Sequence, residues 1–241
     1  MTHEQLRTIV ERYTPAMLDF VVGASTDEIA RLEALTGPLP DTYRGFLEWM
    51  GNQCPFLEGE DLAYSPNDLR EMVYEERELS VPAGFLWIGI DRSGNGFDVY
   101  LRLADGAVAR AWYHEGVSAE EMRLENVSLT SYLLTAYVRT TLVPSHPFHF
   151  GAAFKADDSE HAQEVRRRVQ EACSHFDVQH LIRHPDFDFY GAADFVIGVH
   201  ENPRSSAVHL RFGAVDRARY EPWYDLVFAR WRLLRLPLVN G

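Results

Sequence analysis

The stretch IDRSGNGFDV, residues 90–99, has the residue types and spacing of a cation-binding loop. Asp91, Ser93 and Asn95 stand at alternate positions with a glycine after them, which is how a calcium loop of the EF-hand type begins. The twelfth position of such a loop holds a bidentate glutamate, and here it holds Arg102. The flanking segments also alternate as strands do, whereas an EF-hand loop joins two helices. The sequence therefore predicts no calcium site.

Two glycines in the same stretch suggest another ligand, a phosphate group held by a glycine-rich loop. Such a loop leads into a helix whose N-terminus faces the anion, but the residues after Gly96 alternate as in a strand. Gly94 and Gly96 instead suit the positive φ angles of a tight turn, in which polar side chains bond their own backbone. We interpret the stretch as a hairpin loop and predict no cofactor.

The ten histidines of the chain raise the question of a zinc site. One grouping straddles the end of a predicted helix, and no carboxylate or cysteine in the sequence pattern completes a tetrahedral set. We therefore interpret the histidines as surface or half-buried residues and predict no metal. The closest groupings are His146 with His149, and His175 with His180 and His184.

The two cysteines, Cys54 and Cys173, have no partner pattern around them, so the sequence supports neither a disulfide framework nor a CxxC metal site. Cys54 precedes a proline in a polar stretch that is predicted to be a loop. A catalytic thiol there requires a nearby histidine or a helix N-terminus, and the pattern offers neither. The sequence also contains no GxSxG, HExxH, Walker or dinucleotide fingerprint. We predict no catalytic residues and a reducing, cytoplasmic setting.

A run of carboxylates between residues 58 and 78 is the strongest candidate for a binding surface. Part of it lies in a predicted loop beside Phe56 and Tyr64, and the rest follows on a short predicted helix. Anionic groups around an aromatic anchor suit a basic protein partner, although the same residues also fit an ordinary solvated surface. The acidic surface, as it is called below, consists of Glu58, Glu60, Asp61, Asp68, Glu71, Glu75, Glu76 and Glu78.

Charge is distributed unevenly along the 241 residues, whose net charge is −13. Residues 1–145 contain 23 acidic and 11 basic residues, and residues 146–241 contain 13 and 12. Phosphates repel a domain as acidic as the first part, so we predict no nucleic acid or membrane partner. No apolar run has the length of a membrane helix, and the N-terminal stretch lacks an apolar signal-peptide core. The arginine run 166–168 lies among acids and is interpreted as a solvated helix face.

Periodicity predicts both kinds of secondary structure. The strand segments 85–90, 97–103 and 107–114, with the turn signal Asp105-Gly106, predict a three-stranded antiparallel meander. Within 97–103 apolar and polar residues alternate, which predicts a single buried face. Helical spacing predicts helices at 2–13, 25–36, 40–50, 67–78, 128–142, 157–176 and 219–234. Further strands are predicted at 149–154, 193–200 and 207–215, and residues 52–66 are predicted to be a loop.

The stretch ASTDEIARLEALTGPLPDTYRGFLEWMGN, residues 24–52, resembles the N-terminal signature of the SUKH superfamily. That signature runs from an Ile-x-x-x-Glu element through a Leu-Pro pair and a Tyr-x-x-Phe-Leu helix to a glycine or Asn-Gly. Residues 85–108 resemble the central hairpin of the family, and Gln53 departs from the usual pattern. The resemblance covers about residues 20–142. The matching residues are Ile29, Glu33, Leu39, Pro40, Tyr43, Phe46, Leu47, Gly51 and Asn52.

The resemblance implies helices packed on an antiparallel or mixed sheet and a protein-binding, non-enzymatic function. SUKH domains include fungal cell-wall regulators and bacterial immunity proteins that neutralise a toxin, often a nuclease. Independently of the resemblance, an acidic inhibitor complements the basic cleft of a nuclease. Three hypotheses stay open: an immunity protein against a basic toxin, a regulatory or scaffold protein with a housekeeping partner, and an enzyme or metal protein. We favour the first and predict an α+β fold with two domains, a SUKH-like domain at 1–145 and an appended domain at 146–241.

Overall fold

The computed structural model has an α+β fold of helices and two antiparallel sheets, as the sequence predicts. Contacts within the chain divide it into two compact units, Met1–Leu133 and Leu134–Gly241, called unit 1 and unit 2 below. The predicted boundary follows residue 145, whereas the structural division falls earlier, inside a helix. The structure describes residues 3–58, 62–75, 81–92, 97–112, 117–155, 159–176, 178–203, 207–231 and 234–236.

Unit 1 begins with amphipathic helices. They are α1 (His3–Tyr13), followed by a 3-10 helix (Pro15–Phe20), then α2 (Thr26–Thr36) and α3 (Asp41–Met50). The apolar stripe of α2 buries Ile29 and Leu32, and its N-terminus is capped by Ser25, whose side chain accepts the N–H of Glu28. The helix ends at Gly37, whose φ of +80° suits a residue without a side chain.

Residues 52–66, predicted to be a loop, are largely ordered into short elements, so that prediction is wrong. They form α4 (Pro55–Glu58), β1 (Leu62–Ala63) and the start of α5 (Pro66–Leu69), which continues as a π-helical segment (Arg70–Glu75). Each element is too short to show a period. Burial of Cys54, Phe56 and Leu62 in the core of unit 1 orders them instead.

The predicted meander is confirmed. Strands β2 (Phe85–Asp91), β3 (Phe97–Arg102) and β4 (Val108–Trp112) pair antiparallel in sequence order. β1 adds to the free edge of β2, and β5 (Arg123–Asn126), which the sequence did not predict, adds to β4. The result is a five-stranded sheet in the order β1-β2-β3-β4-β5.

Two details of the meander differ from prediction. β3 is buried on both faces, since Asp98 and Tyr100 are as inaccessible as their neighbours, with 2% and 1% exposure. The carboxylate of Asp98 accepts the backbone N–H of Asp91 at 3.0 Å, which compensates its burial. The turn from β3 to β4 is also longer than two residues, because the N–H of Arg102 donates to the carbonyl of Ala107 and closes a loop over 103–106.

Helix α6 (Leu129–Tyr137) continues as a π-helical segment (Val138–Leu142), which matches the helix predicted at 128–142. The division between the two units falls within α6. In the part of the chain that the structure describes, no helix combines the length and apolar character that crossing a bilayer requires.

Unit 2 contains a six-stranded antiparallel sheet with two helices packed on one face and the π-helical segment after α6 on the other. The predicted strands β6 (Phe148–Lys155), β9 (Phe195–Glu201) and β10 (Ala207–Ala214) are confirmed. β7 (Gln179–Arg183), β8 (Phe187–Gly191) and β11 (Leu234–Leu236) were not predicted, and the strand order is β11-β6-β10-β9-β8-β7. The helices are α7 (Ser159–His175) and α8 (Arg217–Tyr224), which continues as a π-helical segment (Asp225–Arg230).

One face of this sheet forms the core of unit 2. On β10 the alternate residues Val208, Leu210 and Phe212 are at most 1% exposed and belong to the same cluster as the apolar face of α7. Trp223 of α8 completes that cluster, with its ring 5.8 Å from Phe212. Alternation along the strand therefore turns the intervening residues of β10 toward the opposite face of the sheet.

Candidate functional site

The residues that carry the SUKH resemblance hold the N-terminal helices of unit 1 together. Glu33, near the end of α2, accepts the backbone N–H of Leu39 at 3.2 Å and pairs with the guanidinium of Arg44 on α3. Tyr43, Phe46 and other apolar members of the signature are buried. The buried members of the signature therefore specify packing of α2 against α3.

Glu28 ties the start of α2 to two distant segments. Its carboxylate accepts the N–H and the hydroxyl of Ser25, both at 2.7 Å, as well as the amide of Asn52 at 3.1 Å and that of Asn67 at 2.8 Å. These hydrogen bonds lower the pKa of Glu28 from 4.5 to about 2, and those from Ser25 make the largest contribution. Glu28 thus connects the start of α2 to the segment after α3 and to α5, which carries Asp68 of the acidic surface.

We expect this carboxylate to make folding stability depend on acid. Because its folded pKa is depressed, its contribution is present above pH 4.5 and is lost as the pH falls toward 2. Glu28→Gln should lower the free energy of unfolding at pH 7 by about 1 kcal/mol, which is less than the full pKa shift implies because the side chain is partly exposed. The variant should also lose less stability than the unmodified chain between pH 4.5 and 2. Urea unfolding across pH 2–7 measures both effects. Glu11→Gln, on an exposed face of α1, should reproduce neither of them.

The acidic surface is partly neutralised by neighbouring arginines. Arg70 binds Glu71 at 2.8 Å and Glu75 at 3.1 Å, so two carboxylates share one guanidinium. Asp68 accepts from Ser65 at 2.7 Å as part of the α5 cap and from Arg92 at 3.1 Å. The structural role of Asp68 reduces its value as a partner contact.

Glu58, Glu71 and Glu75 present their carboxylates to solvent. The side chains of Glu71 and Glu75 are 59% and 43% exposed, and Glu58 at the end of α4 is also exposed. The remaining predicted members of the surface, Glu60, Asp61, Glu76 and Glu78, lie outside the described residues.

The prediction that Phe56 and Tyr64 are aromatic anchors on the acidic surface is wrong. Phe56 is 0% exposed and Tyr64 is 5% exposed, and the hydroxyl of Tyr64 accepts the backbone N–H of Cys54 inside unit 1. Both rings were expected beside solvent because the surrounding sequence is polar. Both rings are buried in the core of unit 1, as Leu57 and Leu62 are. The acidic surface therefore presents charged groups without these two aromatic side chains.

Cys54 also lies in the core rather than in a polar loop. It is 0% exposed, and its sulfur lies 3.3 Å from the sulfur of Met50. A buried thiol packed against a thioether acts as a small apolar side chain. Cys173 in unit 2 is buried as well, and burial, reinforced by the charge of Asp188, raises the pKa of its thiol to about 12.

A second polar cluster, which the sequence did not reveal, lies in unit 2. The guanidinium of Arg166 on α7 binds the buried carboxylate of Asp188 at 2.7 Å, and Asp188 also accepts from His180 at 3.0 Å. The same guanidinium donates to the carbonyls of His184 and Pro185. Of the arginine run at 166–168, the solvated interpretation therefore holds for the second and third residues and is wrong for the first.

Two of the grouped histidines meet carboxylates that the sequence pattern did not place beside them. His180 binds Asp188, and His184 binds Asp186 at 2.7 Å, while His175 lies on the exposed end of α7. Among the residues that the structure describes, no group of three or more histidine, cysteine, aspartate or glutamate side chains has the arrangement of a metal site. These contacts are hydrogen bonds, one between β7 and β8 and one within the turn that joins the two strands.

The hairpin loop predicted within residues 90–99 falls between β2 and β3. Ser93, Gly94, Asn95 and Gly96 lie outside the described residues. At its edge, the carboxylate of Asp91 accepts the N–H of Phe97 at 3.2 Å, which joins the two strand ends.

The chain was also compared with known proteins. No protein family, no curated protein and no solved structure matches it.

Proposed function

We propose that the chain is a non-enzymatic, cytoplasmic protein-binding molecule whose unit 1 neutralises a basic toxin, as an immunity protein does. The toxin class that fits best is a nuclease, because a nuclease cleft is built to receive phosphates and an acidic surface can occupy it in their place. The resemblance of residues 20–142 to SUKH domains points to the same class.

The concentration of charge in unit 1 is the observation that supports this most strongly. Residues 1–133 contain 23 acidic and 10 basic residues, whereas residues 134–241 contain 13 of each. The entire net charge of −13 thus belongs to unit 1. Such a field accelerates association with a basic protein and repels nucleic acid.

The proposal is tested by capture of the partner followed by a functional assay. The full chain serves as bait in lysate that contains the product of the neighbouring gene, with washes at low and then high salt. We expect one stoichiometric basic protein that is released by high salt. The purified partner must then be toxic or nucleolytic, and an equimolar amount of the chain must suppress that activity. Several weak partners, none of them inhibited, would instead favour a regulatory or scaffold function.

Neutralising the exposed carboxylates is expected to slow binding. The triple variant Glu58→Gln, Glu71→Gln, Glu75→Gln should lower the association rate constant about tenfold at low salt and change the dissociation rate little. Stopped-flow association over a range of ionic strength measures this.

A matched control changes the same charge elsewhere on unit 1. Glu4, Glu11 and Glu48 are exposed residues of α1 and α3, and their triple replacement by glutamine should slow association much less. Equal slowing by the two variants would mean that net charge alone, and not the acidic surface, guides the partner.

A further inference from the structure

An exposed pair of aromatic side chains, called the aromatic pair below, lies at one end of the unit 1 sheet. Phe97 begins β3, Trp112 ends β4, and the register of the two strands places them directly opposite each other. Their ring centres are 4.2 Å apart, and Trp112 is 50% exposed. Tryptophan is on average far more buried than this, and exposed tryptophans are enriched among the residues that anchor protein interfaces.

Helix α6 covers the same face of the sheet one level away from the aromatic pair. Val99, two residues along β3 from Phe97, is 1% exposed and lies opposite Arg110 on β4. The guanidinium of Arg110 lies over the ring of Tyr132 on α6 and donates to its hydroxyl at 3.3 Å. Since alternate residues of a strand share a face, this face changes from helix-covered at Arg110 to half-exposed at Trp112.

The aromatic pair already holds a guanidinium group of the chain itself. Arg123 begins β5, and its guanidinium carbon lies 5.7 Å from the ring centre of Phe97. This is a cation–π contact, in which a planar guanidinium is attracted to the electron-rich face of an aromatic ring. Arg123 occupies Phe97 in this way. The half-exposed ring is that of Trp112, and tryptophan attracts cations more strongly than phenylalanine does.

Carboxylates lie on both sides of this end of the sheet. On one side Arg92, which follows β2, binds Asp68 of the acidic surface at 3.1 Å. The carboxylate at the end of β2 accepts the N–H of Phe97 at 3.2 Å, which places that contact beside the aromatic pair. On the other side the 3-10 helix Ala119–Glu121 directly precedes β5, and Glu120 in it is exposed. The aromatic pair thus lies between acidic groups, in the unit that carries the net charge of −13.

We propose that Trp112 receives an arginine side chain of a basic protein partner, so that the aromatic pair is the anchor of the partner-binding surface. Cation–π attraction holds the guanidinium against the indole, and the flanking carboxylates offset its charge and that of Arg123. The predicted anchors, Phe56 and Tyr64, are buried, and Phe97 and Trp112 supply the aromatic surface instead. The inference rests on the proposed function for the basic character of the partner, and it adds the side chain that is recognised.

Binding of labelled oligo-arginine and oligo-lysine peptides of equal length to the full chain, followed by fluorescence anisotropy, tests the proposal. Net charge attracts the two peptides alike, whereas stacking on an indole favours the planar guanidinium. We expect the arginine peptide to bind more tightly. Trp112→Ser should weaken the arginine peptide about fivefold and the lysine peptide less, and Trp112→Phe, which keeps an aromatic ring, should weaken the arginine peptide less than Trp112→Ser does.

Leu103→Ser is the matched control. Leu103 is also 50% exposed, and it lies after β3, at the opposite end of the sheet from Trp112. This variant should bind both peptides as the unmodified chain does. Thermal unfolding shows that each variant is folded, and Trp112→Phe replaces Trp112→Ser in the comparison if the serine variant does not fold. Equal weakening by Trp112→Ser and Leu103→Ser, or no weakening of the arginine peptide by either Trp112 variant, would overturn the proposal.

The captured partner separates this inference from the proposed function. Trp112→Ser should raise the dissociation rate constant of that complex about tenfold and change the association rate constant little, because a central anchor acts after the encounter. A toxin that Trp112→Ser binds and inhibits as the unmodified chain does would overturn the inference and leave the function standing. Arginine-peptide binding that depends on Trp112, in a chain that captures no toxin, would support the arginine site and overturn the function.

Discussion

Arg166→Met is expected to destabilise unit 2 by about 3–5 kcal/mol, because it leaves the buried carboxylate of Asp188 without its guanidinium partner. Asp188 is 4% exposed, and its contact with Arg166 is 2.7 Å long. The substitution also leaves the carbonyls of His184 and Pro185 without the donor that now satisfies them. Removing one partner of a buried ion pair lowers stability far more than removing one partner of an exposed pair, because the remaining buried charge keeps its desolvation penalty.

The neighbouring residue supplies a matched control. Arg167 lies one position further along α7, and its side chain is 55% exposed while it pairs with Glu164 and Glu171. Arg167→Met should therefore cost less than about 1 kcal/mol. Urea unfolding of the full chain, followed by probes in each unit, measures the two variants side by side. Equal effects of the two substitutions would show that the Arg166 cluster contributes no more than a surface pair.

A double variant separates loss of the pair from loss of packing. Arg166→Met combined with Asp188→Leu replaces both charges by apolar groups, so no unpaired carboxylate stays buried. It should be more stable than Arg166→Met alone, since removing both partners of a buried pair is frequently near neutral. Continued loss of stability in the double variant would assign the effect to packing or to His180, which also binds Asp188.

Gly23→Ala is expected to destabilise unit 1 by about 3 kcal/mol. A Cβ atom at this position would lie 2.0 Å from the backbone oxygen of Glu48, and backbone atoms cannot rotate away as a side chain does. Hydrogen bonds hold the approach on both sides. The N–H of Ala24 donates to Leu47 at 2.8 Å, and the carbonyl of Val22 accepts from Gln53 at 2.9 Å. The methyl group must therefore break one of these contacts or displace the end of α3.

The same substitution at Gly37 is the control. No atom lies within 4 Å of the Cβ position there, so the only cost is conformational: a φ of +80° with a ψ of −177° is nearly confined to glycine and costs an alanine roughly 1–3 kcal/mol. Chemical unfolding of both variants compares steric and conformational costs for one methyl group. If Gly23→Ala were as stable as Gly37→Ala, the 22–24 segment would not pack against α3 as closely as described.

Where the sequence predicted the fold correctly, long stretches carried a single period. The apolar run at 85–90, the alternation in 97–103 and the turn signal Asp105-Gly106 indicate β2, β3 and β4, and a long stretch of helical spacing indicates α7. These signals arise within one element or its immediate flanks, so no knowledge of distant residues is needed to interpret them.

Strands β7 and β8 escaped prediction because polar residues there are buried. Asp188 and His180 resemble loop residues in the sequence. In the structure Asp188 binds Arg166 of α7, which lies 22 residues earlier, and His180 binds Asp188. Pattern analysis assumes that charged residues are exposed. That assumption fails wherever a distant partner satisfies the charge, and the sequence does not say which partner that is.

For the candidate sites, the sequence by itself determined the amounts of charge and their order along the chain. It determined that residues 1–145 carry a net charge of −12 and residues 146–241 a net charge of −1. Only the tertiary structure decided that Phe56 and Tyr64 leave the acidic surface for the core, that the division between the units falls after Leu133, and that Arg166 and His180 both bind Asp188. Burial and cross-strand register join residues far apart in the chain, so both follow from packing of the whole unit and not from any local pattern.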